Sequence, residues 1–170
     1  AALDAAAALL GQAEKPAIFV GSGIFGAEAE LLRVAELLEA PVIMSRTGRG
    51  AVSDHHYLAQ IMISGQELWD DVDAALVVGT RFSAPGLAWG RQDDVKLVRI
   101  DIDPKQAGKP RAADATLIAQ AATGLDALAS RIPEHNRERA SRQNELRAAK
   151  QRALDKLADL QPQYGFARVI

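Results

Sequence analysis

A glycine-rich turn is the first feature of the sequence that could bind a ligand. Residues 21–26 read Gly-Ser-Gly-Ile-Phe-Gly and fit the pattern G-x-G-x-x-G. They follow the apolar run 17–20, which predicts a buried strand, and they precede a predicted helix. Glycine at these positions lets a phosphate approach the N–H groups at the start of that helix. The same glycines also suit a tight turn that binds nothing, and both interpretations stay open.

Charged side chains follow two other predicted strands. Arg81 comes just after the apolar run 74–78, where an arginine can bind a pyrophosphate or form a surface salt bridge. Asp101 and Asp103 flank Ile102 at the end of the predicted strand 96–102, and the alternation of side chains places both carboxylates on one face. They could accept hydrogen bonds from ribose hydroxyls or bind a cation. An aspartate before a proline is also typical of turns.

The residues after the second predicted strand discriminate between two classes of nucleotide site. A simple dehydrogenase places an acidic residue about 20 residues beyond the glycine motif, where it binds the ribose hydroxyls. The predicted strand 42–44 ends instead in Ser45-Arg46. Arg46 could contact a 2′-phosphate, so an NAD(P)-binding module of an oxidoreductase is kept as the alternative function. The long glycine-bearing loop that follows argues against it.

The sequence contains no recognisable catalytic centre. It has no cysteine, which excludes disulfides and thiolate metal sites and fits a reducing, cytoplasmic location. The adjacent His55 and His56 cannot easily share a metal, and Ser22 lies outside a nucleophile elbow. We therefore predict groups that hold a nucleotide, no catalytic residues and no metal ligands.

Short apolar strands alternate with helices along most of the chain. The predicted strands are 17–20, 42–44, 74–78, 96–102 and 116–119, with 57–63 ambiguous between strand and loop. The predicted helices are 2–13, 27–38, 66–71 and 124–131, with 85–89 a loop or a helical turn. This order predicts an α/β fold, a three-layer Rossmann-like parallel sheet with helices on both faces that binds ligands at the carboxyl ends of its strands.

A different pattern begins at Pro133. Within residues 134–160 an apolar stripe at steps of three and four predicts a long amphipathic helix; its members are Leu146, Ala149, Ala153, Leu157 and Leu160. We predict two units, a nucleotide-binding-like domain over 1–132 and a helix with a linker over 133–170. The ends of the sequence predict that the chain is cut from a longer one, and the linker leads towards an absent third domain.

Charge and hydropathy exclude two classes of partner. The formal net charge of −2 gives no strong field for nucleic acid or an anionic membrane. No apolar run approaches the roughly 20 residues that a membrane span requires. We expect no nucleic-acid and no membrane partner.

Five segments occur in a distinctive order: KPAIFVGSG (15–23), APV (40–42), GRGA (48–51), DAALVVGTRF (73–82) and IDIDP (100–104). In this order they resemble the central domain of thiamine-diphosphate-dependent enzymes of the acetolactate synthase, benzoylformate decarboxylase and oxalyl-CoA decarboxylase type. The resemblance covers about residues 2–131 and implies a six-stranded parallel sheet. It implies FAD or ADP in this domain, and thiamine diphosphate and Mg²⁺ between the other two domains of the parent chain.

The resemblance also implies site residues and a setting for the domain. The nucleotide contacts would fall on Gly21, Ser22, Gly23, Ser45, Arg46, Gly79, Thr80, Arg81, Asp101, Ile102 and Asp114. The stretch 59–65 departs from the Gly-Met-His-Gly type that faces the flavin in acetolactate synthases, and Ser45-Arg46 replaces their Thr-Leu pair. The parent would be a homodimeric or homotetrameric lyase or transferase that acts on 2-oxo acids, and this domain alone would be inactive.

Overall fold

The computed structural model describes residues 1–91 and 93–160. This part of the chain contains six strands: β1 (Pro16–Val20), β2 (Val42–Met44), β3 (Ala59–Ile61), β4 (Ala74–Val78), β5 (Lys96–Asp101) and β6 (Ala115–Ile118). It also contains six α-helices: α1 (Ala2–Gln12), α2 (Glu28–Leu38), α3 (Met62–Leu68), α4 (Ser83–Ala88), α5 (Ala121–Arg131) and α6 (Gln143–Leu160). The prediction of an α/β fold with a long C-terminal helix is confirmed.

The six strands form one parallel sheet in the order β3-β2-β1-β4-β5-β6. Strand β1 pairs with both β2 and β4, with Ile18 opposite Val42 on one side and Leu76 on the other. The chain therefore adds β2 and β3 on one side of β1 and then returns to add β4 on the other side. In open α/β sheets, ligands bind at the carboxyl ends of the strands beside such a switch point.

The two faces of the sheet are covered differently. On the first face, helices α1, α2 and α5 bury a large aliphatic core that includes Leu10, Leu31 and Leu128. On the second face, a smaller aromatic cluster packs around Phe19, whose ring centroid lies 4.9 Å from that of Phe82. The residues of β1, β2 and β4 are all buried, as expected for parallel strands covered on both faces.

The boundaries of β3, α3, α4 and α5 differ from those predicted. The ambiguous stretch 57–63 contains β3, and α3 follows it directly instead of beginning at residue 66. Ser64 fixes this early start, because its hydroxyl accepts a hydrogen bond from the Ile61 N–H (3.1 Å) and donates one to the Ile61 carbonyl (3.0 Å). Helices α4 and α5 likewise begin before the predicted residues 85 and 124.

The predicted helix over 134–160 is wrong in its first third. Residues 135–142, which we call the strap, are not helical, and α6 begins only at Gln143. Arg139 of the strap donates hydrogen bonds to the carbonyls of Leu10, Gly11 and Ala13 at the end of α1, at 3.1, 2.8 and 2.7 Å. These carbonyls have no partners inside α1, so the arginine satisfies groups that a continued α6 would leave unpaired.

Helix α6 packs only three of the five residues of its predicted apolar stripe against this domain. Leu146, Ala149 and Ala153 are fully buried, whereas Leu157 and Leu160 are 37% and 50% exposed. Buried Gln60 of β3 donates a hydrogen bond to the Leu146 carbonyl (3.1 Å) and so ties the helix to the sheet.

The division of the chain at residue 133 stays a prediction, and the linker residues 161–170 lie outside the described part. No helix among the described residues is long and apolar enough to cross a membrane.

An ion pair at the start of α6 generates a testable pH dependence. Arg142, whose side chain is 8% exposed, donates two hydrogen bonds of 3.0 Å to Glu145 and thereby lowers the pKa of that carboxyl. A carboxylate with a lowered folded-state pKa stabilises the protein above its unfolded pKa, and this contribution is lost as the pH falls through the folded value.

We therefore expect Glu145→Gln to lower the free energy of unfolding at pH 7 by about 1 kcal/mol, since the pair is partly exposed. The difference from wild type should shrink as the pH falls below the ordinary glutamate pKa of about 4.3. Urea unfolding between pH 7 and pH 3 measures it, with the exposed Glu138→Gln as a control that should show no such trend. A difference that stayed constant over this range would contradict the assignment.

Candidate functional site

Two loops cross in direct backbone contact at the carboxyl edge of the sheet. The loop after β1 meets the loop after β4, and the Gly23 N–H donates a hydrogen bond to the Gly79 carbonyl (3.1 Å). A Cβ atom on Gly79 would lie 2.6 Å from the Gly23 Cα, and Gly79 has a φ of +55°. Side chains other than hydrogen are therefore excluded on both sides, and the contact closes the crevice that the strand order would leave between β1 and β4.

Most N–H groups of the glycine motif are hydrogen-bonded inside the protein. Five of its six N–H groups have an acceptor: Gly21 donates to Val78, Gly23 to Gly79, Ile24 to Gly21, Phe25 to Ser22 and Gly26 to the Glu28 carboxylate, and among the described residues only the Ser22 N–H has none. Helix α2 begins only at Glu28, whose negative charge lies where a phosphate would need to approach. Of the two interpretations of the motif, the geometry favours the tight turn over the phosphate cradle.

Two cavities flank the glycine contact. The first, of about 430 Å³, extends towards β5 and the start of α5 and is bordered by Phe25, Asp101 and Ile102. The second, of about 370 Å³, extends towards β2, with the apolar side chains of Phe19, Met62 and Phe82 in its wall. Ser22, Gly79, Thr80 and Arg81 border both cavities. These four residues form a ridge that separates the two cavities and borders each of them.

Ten of the eleven predicted site residues lie at this edge. Those that border the first cavity but not the second are Gly23, Asp101 and Ile102, and those that border the second but not the first are Gly21, Ser45 and Arg46. The four remaining residues of the ten border both. The structure therefore brings these ten residues together at one edge of the sheet, and their binding roles stay predictions.

Asp114 is the exception, because it lies at the opposite edge of the sheet. It immediately precedes β6, its carboxylate accepts a hydrogen bond from the Leu97 N–H (2.8 Å), and the Lys96 ammonium lies 3.6 Å away. It borders neither cavity. Asp114 joins the amino ends of β5 and β6, and the structure does not bring it together with the other ten residues.

The charged groups at the cavities differ in how they are paired. Arg46 and Arg81 are exposed and form no ion pair or hydrogen bond with any described residue. Both carboxylate oxygens of Asp101 have partners. Its Oδ1 accepts a hydrogen bond from the Asp103 N–H (3.0 Å), and its Oδ2 lies 3.6 Å from Nη1 of Arg99. The Asp103 carboxylate accepts the Lys105 N–H (2.9 Å), which is turn chemistry. Two unpaired guanidinium groups therefore face the cavities, and they favour an anionic ligand.

Arg99 is a functional candidate that the sequence reasoning missed. It lies in the middle of β5 and is completely buried. Burial lowers the pKa of its guanidinium, and the neighbouring Asp101 carboxylate opposes that shift. The available signal was a charged residue inside an otherwise apolar strand, which requires partners in the fold. The apolar wall of the second cavity gave no such signal, because Phe19 and Met62 have the composition of an ordinary core.

The histidines behave as loop residues, as predicted. His56 accepts a hydrogen bond from the Leu58 N–H (3.2 Å), and its Nε2 lies 3.4 Å from Glu36. Within residues 1–91 and 93–160, no group of three or more metal-ligating side chains could hold a metal ion.

The sequence of residues 3–128 matches the family described as thiamine pyrophosphate enzyme, central domain. This chain belongs to that family. The matched residues include all six strands, the residues that border the two cavities, and all but the outer ends of α1 and α5. The resemblance in the sequence is confirmed.

Two curated relatives show what kinds of enzyme contain similar domains. A Methanocaldococcus jannaschii protein named "probable acetolactate synthase large subunit" is 33% identical over 138 residues, which cover 75% of this chain and 23% of the relative. The glyoxylate carboligase of Escherichia coli O157:H7 is 31% identical over 137 residues, 74% of this chain and 23% of the relative. The central domain therefore spans about a quarter of these relatives.

The fold is also found in a solved structure. The X-ray structure of a Mycobacterium smegmatis protein assigned as thiamin diphosphate-dependent has a TM-score of 0.66, at 23% sequence identity. The match covers 82% of this chain and 28% of that one. At this identity the likeness establishes the fold alone.

The glycine contact yields a stability prediction. We expect Gly79→Ala to lower the free energy of unfolding by about 2–4 kcal/mol, because the new Cβ meets backbone atoms of Gly23 and alanine disfavours a positive φ. Gly108→Ala is the matched control, since its Cβ would meet nothing within 4 Å, and we expect a change within about 0.5 kcal/mol. Denaturant unfolding of the two variants measures this. Equal stabilities would show that the loops do not depend on the contact.

Proposed function

We propose that this domain serves a thiamine-diphosphate enzyme of the acetolactate synthase and glyoxylate carboligase type as its non-catalytic, nucleotide-holding part. The family match supports the first half of the proposal. The two cavities with the unpaired Arg81 between them support the second half. The parent enzyme would join or decarboxylate 2-oxo acids, with thiamine diphosphate and Mg²⁺ held by other domains, in a homodimer or homotetramer.

The shared ligand chemistry that we propose is an adenosine diphosphate moiety, either as ADP or as part of FAD. Phe25 and Ile102 border the first cavity and are 52% and 67% exposed, so they offer apolar surface to a purine ring. Arg81 lies between the two cavities and has no partner among the described residues, so it is placed to bind a diphosphate. Unpaired Arg81 is the single observation that carries this part of the proposal.

The aromatic residues around the second cavity allow FAD and ADP to be told apart by tryptophan fluorescence. Its wall contains Phe19 and Phe82, whose rings pack edge-on against each other and against Trp69. The chain has two tryptophans, and Trp89 also lies against Phe19, with ring centroids 5.8 Å apart. A flavin in this cavity would quench tryptophan emission by energy transfer, because flavins absorb where tryptophan emits. ADP in the first cavity would not.

The binding experiment is a thermal-shift titration with ADP, FAD and NADP. A ligand that binds only the folded state at 100 times its Kd stabilises that state by about 2.7 kcal/mol, so we expect a rise in Tm with ADP or FAD. Quenching of tryptophan fluorescence with FAD, and none with ADP, would show that the flavin binds close to the two tryptophans. Stabilisation by NADP alone, or by none of the three, would contradict the proposal.

Arg81→Ala tests the residue that carries the proposal. Loss of a charge-assisted hydrogen bond to the diphosphate should weaken ADP binding by roughly tenfold or more. Arg33→Ala is the control, because Arg33 pairs with Asp126 on the outer surface of the helices and borders neither cavity. Its ADP affinity should equal that of wild type. Equal affinities for all three proteins in calorimetric titrations would remove Arg81 from the site.

A further inference from the structure

Arg99 joins three chain segments at the carboxyl edge without bordering either cavity. Its Nη1 donates a hydrogen bond to the Thr80 carbonyl (3.0 Å), and its Nη2 donates one to the Lys109 carbonyl (2.6 Å). Nη1 also lies 3.6 Å from Oδ2 of Asp101. The three partners belong to the loop after β4, the loop that follows β5 and the end of β5 itself. A single buried side chain therefore determines how these segments sit relative to one another.

The contacts explain why a charged group is tolerated inside the sheet. A buried guanidinium is strongly unfavourable unless its donors are satisfied, and removing one partner of such a group is costly. Arg99 satisfies its two terminal nitrogens with carbonyls, while its buried Nε has no partner in the described part of the chain. Stability alone would be served as well by an apolar residue of similar volume, so the arginine is better explained by what it holds.

We propose that Arg99 is a positioning residue for the nucleotide site: it fixes the Thr80–Arg81 segment and the 103–110 loop relative to Asp101, without touching the ligand. The inference rests on the proposed function, because it assigns Arg99 a role in that same site. Arg81 directly follows the residue whose carbonyl Arg99 holds, and Asp101 directly borders the first cavity. A displacement of the Thr80 carbonyl would therefore move the guanidinium that we assign to the diphosphate.

We expect that a lysine at position 99 cannot hold the two loop segments as Arg99 does. The two terminal nitrogens of the guanidinium bind carbonyls from different segments, and the planar group fixes the angle between them. A lysine ammonium keeps the positive charge but is a single point on a flexible stem. Arg99→Lys therefore keeps the positive charge but loses the planar arrangement of two donors. Arg99→Met loses both the charge and the donors while it preserves much of the apolar volume.

The binding test compares ADP with adenosine in wild type, Arg99→Lys and Arg99→Met by calorimetry. We expect both variants to lose about tenfold in ADP affinity and less than about threefold in adenosine affinity, because only the diphosphate contact depends on Arg81. The ratio of the two affinities should therefore fall. The control is Leu128→Ala, a fully buried position near the far end of α5, which lowers stability but should leave that ratio unchanged.

Hydrogen exchange supplies a readout that needs no ligand. The amides of Gly79, Gln106 and Lys109 donate hydrogen bonds within the segments that Arg99 holds. In both Arg99 variants these amides should exchange at least about tenfold faster than in wild type, while the amides of α2 should keep their wild-type rates. The same three amides should not be accelerated in the Leu128→Ala control. All comparisons are made at a temperature where circular dichroism shows each protein to be folded.

The outcomes separate the two proposals. If wild type bound neither ADP nor FAD, the proposed function would fail, and faster exchange in both Arg99 variants would still support the positioning of the loops. If wild type bound ADP but Arg99→Lys kept both the wild-type affinity ratio and the wild-type exchange rates, the positioning role would be overturned. An unchanged affinity ratio with faster exchange would also overturn it, because the loops would then move without consequence for the ligand.

Discussion

The backbone contact between Gly23 and Gly79 is the constraint on which the carboxyl edge of this domain depends. Strands β1 and β4 are neighbours at the point where the sheet changes its direction of growth, so the loops that leave them must cross. The contact leaves no room for a side chain on Gly79 and turns the crevice between the strands into two separate cavities. The position of Arg81 follows, because it lies two residues beyond Gly79 on the ridge between them.

Two buried arginines stabilise the loops at opposite edges of the sheet. Arg99 holds segments at the carboxyl edge, and Arg142 donates a hydrogen bond to the Pro16 carbonyl (3.3 Å) at the amino edge while it pairs with Glu145. Irregular backbone buried at the end of a sheet carries carbonyls that need donors, and a guanidinium can serve several of them at once. The domain thus combines an apolar sheet with charged groups that organise its loops.

The central strands and the helices α1 and α2 could be predicted from the sequence, whereas the edge strand β3 and the strap could not. The apolar runs of β1 and β4 have only one reasonable interpretation in a chain of alternating strands and helices. Short β3 contains polar Gln60, whose partner Leu146 is 86 residues away, so local pattern could not distinguish it from a loop. The strap was predicted as helix because the bonds that Arg139 makes to the end of α1 are invisible to local periodicity.

The location of the candidate residues was predicted better than their contacts. The family resemblance implied eleven residues, ten of which border the two cavities at the carboxyl edge, whereas Asp114 precedes a strand instead of following one. The glycine motif was read as a phosphate cradle or a turn, and only the hydrogen bonds of its N–H groups favour the turn.

An NMR titration of the ¹⁵N-labelled protein with ADP tests most directly whether this domain holds a nucleotide. We expect chemical-shift changes in residues 22–27, 79–82, 100–103 and 119–122, which surround the first cavity and the glycine contact. Residues 111–115 at the opposite edge should not respond. Changes centred on that opposite edge or on α6, or no change at saturating ADP, would contradict the claim that this domain holds a nucleotide beside the Gly23–Gly79 contact.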